Sequence, residues 1–61
     1  MDYTTIDEKN NIILGYDVTG KEYFVWDKTN SKWQWFKSLS QAKNYFDAIN
    51  YYVNKGLIKH V

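Results

Sequence analysis

The residue types that carry reaction chemistry are scarce in this chain of 61 residues. There is no cysteine, and the single histidine, His60, stands next to Val61. A nucleophile with a neighbouring base therefore cannot be assembled, and no Cys/His set with zinc-ligand spacing can be drawn. Gly15 and Gly20 are not spaced as a phosphate-cradling loop, and neither precedes a helical pattern. The carboxylates Asp7, Glu8, Asp17, Glu22 and Asp27 are scattered along expected strands and turns, where hydration and cross-strand pairing account for them. From such a set we expect no enzyme activity, no metal and no cofactor. What the chain has in excess is contact chemistry: three Trp, six Tyr and three Phe, side chains that each bring a large apolar area and dominate binding energetics.

The formal charge is +1, from eight Lys against seven acidic residues, with no Arg. A protein that neutralises many phosphates shows a basic excess and reads base edges with Arg, so a protein partner is expected ahead of nucleic acid. Zero cysteine fits a reducing compartment, and cytoplasmic is the expected location. The opening Met1-Asp2-Tyr3-Thr4-Thr5 lacks the basic-then-apolar pattern of a signal peptide. Apolar runs reach only about four residues, far below the roughly 20 that cross a bilayer, so no membrane partner is expected.

Several elements must position the aromatic residues within one small domain, 1–61. Turn signals about every ten residues predict short antiparallel strands: 3–6, then 11–18, 21–27 and 31–37, separated by the run 7–11, by Thr19-Gly20 and by Lys28-Thr29-Asn30. At Ser38 the pattern changes. Ser38-Leu39-Ser40-Gln41 is a capping box, so a helix starts at Leu39. Leu39, Ala42, Phe46, Ile49 and Val53 recur at steps of three and four, which is one buried helix face, with Tyr45, Tyr51 and Tyr52 beside it. Gly56 supplies the left-handed stop, after which Leu57 can fold back on the last turn and 57–61 form a short strand or a loose end. The fold class is α+β: an antiparallel meander of three to four strands followed by one C-terminal helix packed on one sheet face. No internal repeat, linker or low-complexity segment is expected.

The hairpin over 21–37 decides the surface. Side chains alternate along a strand, so Trp33 and Trp35 share a face, as do Phe24 and Trp26. A type I turn over Lys28-Thr29 with Asn30 left-handed groups Tyr23, Val25, Trp33 and Trp35 on one face, flanked by Lys21 and Lys37, and Phe24, Trp26, Gln34 and Phe36 on the other. A four-residue loop would instead pair Trp26 with Trp33 and Phe24 with Trp35. Phe36 lies just before the helix, so the helix is expected on the face of Phe36. That leaves Tyr23, Trp33 and Trp35 outside as the binding surface, with Lys21 and Lys37 at its rim. Two other arrangements stay open: the N-terminal segment or the tail covers this face, or a homodimer forms across it.

The run Phe36-Lys37-Ser38-Leu39-Ser40-Gln41-Ala42, continued by Phe46-Asp47-Ala48, resembles the strand-to-helix junction of AP2-type domains and of the AP2-like arm-binding domains of phage integrases. It is also similar to many small phage proteins. The likeness covers roughly a quarter of the chain. It implies three antiparallel strands on one helix, with DNA held against the sheet face opposite the helix. On that alternative Trp33, Trp35 and Tyr23 would stack on bases, and Lys21, Lys32 and Lys37 would meet the backbone. The family reads DNA with several Arg on those strands, and this chain has none. The leading expectation is a small protein-binding module or inhibitor of phage or mobile-element type.

Overall fold

A computed structural model describes residues 2–57. Four strands, β1 (Tyr3–Lys9), β2 (Ile12–Asp17), β3 (Glu22–Asp27) and β4 (Lys32–Phe36), precede one helix, α1 (Leu39–Asn54). All neighbours are antiparallel and the sheet order is β1-β2-β3-β4. The expected α+β class holds, with four strands. Tail residues 58–61 lie outside the described residues.

β1 is longer than expected. Its turn is only Asn10-Asn11, with φ of 56° and 63°, the left-handed pair that closes a two-residue hairpin. Asp7, Glu8 and Lys9 therefore belong to the strand. They are tolerated because β1 is an edge, exposed along its whole length, and the strand carries a bulge between Thr5 and Asp7.

The next two connections are one loop built twice. Both span four residues, 18–21 and 28–31, between paired Asp17 and Glu22 and between paired Asp27 and Lys32. Each opens on an aspartate that caps the turn. Asp17 Oδ1 accepts the Thr19 N–H at 3.1 Å, and Asp27 Oδ1 accepts the Asn30 N–H at 3.2 Å. Each ends on a left-handed residue, Lys21 (φ 56°) or Ser31 (φ 55°). The left-handed residue is thus Ser31, not Asn30, and an aspartate opens both loops.

The helix begins at Leu39 as expected, with the Ser38 half of the capping box formed: Ser38 Oγ accepts the Gln41 N–H at 3.3 Å. At the far end Gly56 takes φ 75°. There the Leu57 N–H bonds the Tyr52 carbonyl at 2.9 Å and the Gly56 N–H bonds that of Val53 at 3.0 Å, a Schellman stop. The backbone of Leu57 folds back as expected, but its side chain stays in solvent. The helix packs across β2, β3 and β4. Ala42 and Phe46 are buried against Ile12, Leu14 and Val25, with Tyr23, Phe36, Tyr45, Ile49 and Val53 around them. Asn50, also buried, ties the helix to the first turn: its Oδ1 accepts from Asn10 Nδ2 at 2.9 Å, and its own amide donates to the Phe46 carbonyl at 2.9 Å.

Candidate functional site

Strand register fixes which side chains share a face. The four-residue loop pairs Trp26 with Trp33, Phe24 with Trp35 and Tyr23 with Phe36. Phe36 does face the helix, 5.4 Å from the Tyr45 ring. Its cross-strand neighbour Tyr23 must then face the helix too, and it packs against the core there and against Tyr16, 5.0 Å away. Tyr23 is thereby removed from the expected binding surface. The reason is one residue of loop length, which flips every side chain of one arm relative to the other. The same flip brings Phe24 and Trp26 to the side of Trp33 and Trp35.

The face away from the helix is an aromatic surface with a floor and a row. Phe24 is the floor. It is fully buried although α1 lies on the opposite face of the sheet, because Tyr3 meets it edge-on at 5.4 Å and Trp33 and Trp35 lean over it at 5.3 and 5.6 Å. Beneath it Gly15 is required. A Cβ there would stand 2.5 Å from the Phe24 ring tip and 3.1 Å from the Thr4 carbonyl oxygen. Above lies the row of indoles. Trp33 is parallel to Trp26, with centroids 4.5 Å apart and planes at 9°, and parallel to Trp35 at 5.9 Å and 9°. Trp33 and Trp35 remain 37% and 45% exposed. The N-terminal strand therefore covers part of this face through Tyr3 and leaves the two outer indoles open.

Charge around the row is mixed. Alternation from the paired positions places Glu8, Asp17 and Glu22 on this face. Lys28 reaches over it from the loop, 3.0 Å from Glu8 Oε2 and 6.0 Å from the centroid of Trp26. Lys21 and Lys37, expected at the rim, are exposed at the sheet end where β3 starts and β4 ends. Phe24 and Trp26 join this surface as the four-residue-loop alternative has it, and Tyr3 joins it without having been singled out from the sequence. The signal that could have selected that alternative is the repeated frame Tyr16-Asp17-x-Thr19 to Tyr23 and Trp26-Asp27-x-Thr29 to Trp33, which sets the aromatic pairs at equal spacing around equal loops.

A second concavity, an open groove of about 350 Å³, runs between β1 and the helix past Asp7, Lys9, Asp47, Asn50 and Asn54. Its amides are engaged with one another through Asn10, which donates to both Asn50 and Asn54, so they hold the turn to the helix. Among the described residues no group of His, Cys, Asp and Glu could hold a metal ion, and no helix is long and apolar enough to cross a membrane. The chain matches no family model, no curated protein and no solved structure.

Proposed function

We propose that the chain is a small, non-enzymatic protein-binding module of the inhibitor type, whose contact surface is the indole face of the sheet. The observation that carries this reading is the aligned row of Trp26, Trp33 and Trp35 on the face opposite α1, with Trp33 and Trp35 open to solvent. The indoles are held on strands and braced by Phe24, so little side-chain freedom is lost on contact. Trp at the centre of an interface is the residue type that most often carries its binding energy. The phage or mobile-element setting is supported by the junction motif alone, and a cytoplasmic location by the absence of cysteine.

Nucleic acid is the second reading, and two features weigh against it. Asp17 and Glu22, paired across β2 and β3, would face the phosphates that an AP2-like mode lays over this side of the sheet. One ring surface of Trp33, where a base would stack, is already occupied by Trp26 at 4.5 Å.

The test is a pull-down from lysate of the source cells, with and without nuclease, comparing wild type, Trp35→Ala and Tyr52→Ala. Tyr52 is an exposed aromatic of the helix and serves as the control for loss of any surface ring. We expect a nuclease-resistant protein partner that Trp35→Ala loses and Tyr52→Ala keeps, with both variants folded by far-UV circular dichroism. Recovery of nuclease-sensitive material only, with affinity falling steeply between low and moderate salt, would replace this reading by the nucleic-acid one.

A further inference from the structure

The two edges of the sheet are built differently. β1 is guarded by the means sheets use against edge pairing: a bulge at Thr5/Asp7 and the charged run Asp7-Glu8-Lys9. β4, Lys-Trp-Gln-Trp-Phe, has no bulge in its register with β3, no proline and a single charge at its first residue. Among the described residues no strand lies on its outer side, and four of its five side chains are exposed.

We infer that this edge pairs with the same strand of a second copy of the chain, antiparallel and centred on Gln34, to make a twofold-symmetric dimer with one continuous sheet of eight strands. The sequence of β4 is its own complement in this register. Gln34 meets Gln34 of the second copy, where two amides can exchange hydrogen bonds. Trp33 meets Trp35 of the second copy and Trp35 meets Trp33, all on the indole face, since cross-strand partners share a side of the sheet. Lys32 meets Phe36, and beyond the strand Lys37 meets Ser31, so no lysine stands opposite a lysine. Moving the centre to Trp33 or Trp35 leaves only three of the five strand residues paired. Self-pairing on one patch is what a twofold interface demands. The contact is small, so the dimer belongs to the weak class. It extends the indole face across the axis and does not depend on the identity of any other partner.

The chain has no cysteine of its own, so single introduced thiols report the register. In the inferred dimer the two Gln34 Cα atoms are about 4.5–5.5 Å apart, within the span of a disulfide. The two Lys32 Cα atoms are four residues out of step, about 13 Å along the strands. Sedimentation equilibrium of the wild type from low micromolar to hundreds of micromolar is expected to show reversible dimerisation. Under mild oxidation Gln34→Cys should form the covalent dimer at least tenfold faster than Lys32→Cys, although both side chains are exposed on the same face of the same strand. A wild type that stays monomeric across that range overturns the inference, as do equal cross-linking rates for the two variants. Neither result touches the reading of the indole face as a binding surface, which rests on partner capture and its loss in Trp35→Ala.

Discussion

Gly15 and Phe24 show at the scale of single residues how this sheet can have two cores. The helix side is an ordinary one. On the other side, one ring is buried by other rings, and it fits only because the residue beneath it on the neighbouring strand has no side chain. Gly15→Ala is expected to cost about 1–3 kcal/mol, the range for overpacking a filled site. The Thr4 carbonyl at 3.1 Å closes the way out on the opposite side. Urea denaturation would measure it, and a double-mutant cycle with Phe24→Leu should recover part of the loss, because the shortened side chain makes room for the new methyl. If Gly15→Ala were neutral, or its cost unchanged in the Phe24→Leu background, the close approach would not be what requires glycine there.

At the scale of elements, the loops decide more than the strands do. Each four-residue loop is held by its aspartate and closed by a non-glycine residue in the left-handed region, where an L-residue costs about 1–2 kcal/mol. Ser31 is exposed, so replacing it with glycine should relieve strain and raise stability by up to about 1 kcal/mol, partly offset by the greater freedom of glycine in the unfolded chain. The helix start works in the opposite direction. Ser38→Ala removes the acceptor of the Gln41 N–H and should cost about 1 kcal/mol. Both are read from thermal or urea unfolding followed at 222 nm. A Ser31→Gly variant no more stable than wild type would mean that the loop, and not the residue, sets the left-handed turn at no cost.

The whole molecule has little stability to spare. Sixty-one residues correspond to a total of about 3–9 kcal/mol on the usual per-residue scale. The helix-side core depends on a few large groups, Phe46 foremost, 2% exposed between the helix and the sheet. Phe46→Ala is expected to cost about 3–5 kcal/mol, a large share of that total, so the unfolding midpoint should fall steeply and the near-UV aromatic signal weaken. Retention of a cooperative transition near the wild-type midpoint would show that the indole face alone can hold the sheet together.

The sequence by itself determined the order of the elements and both ends of the helix. The Ser38 cap, the stripe through Ala42 and Phe46 and the Gly56 stop are local chemistry, legible because each acts within a few residues of chain. It also determined that Trp33 and Trp35 share a face, since alternation needs no partner, and that Phe36 turns to the helix, since it stands just before the helix start. Tertiary structure decided which face of β3 goes with which face of β4. That depends on whether the left-handed residue of the loop falls at Asn30 or at Ser31, a choice of one residue that turned Tyr23 against the helix-side core and brought Phe24 and Trp26 out beside Trp33 and Trp35. The burial of Phe24 was likewise beyond the sequence, because it arises from four strands meeting: Tyr3 from β1, Gly15 from β2 and two indoles from β4, around a ring on β3.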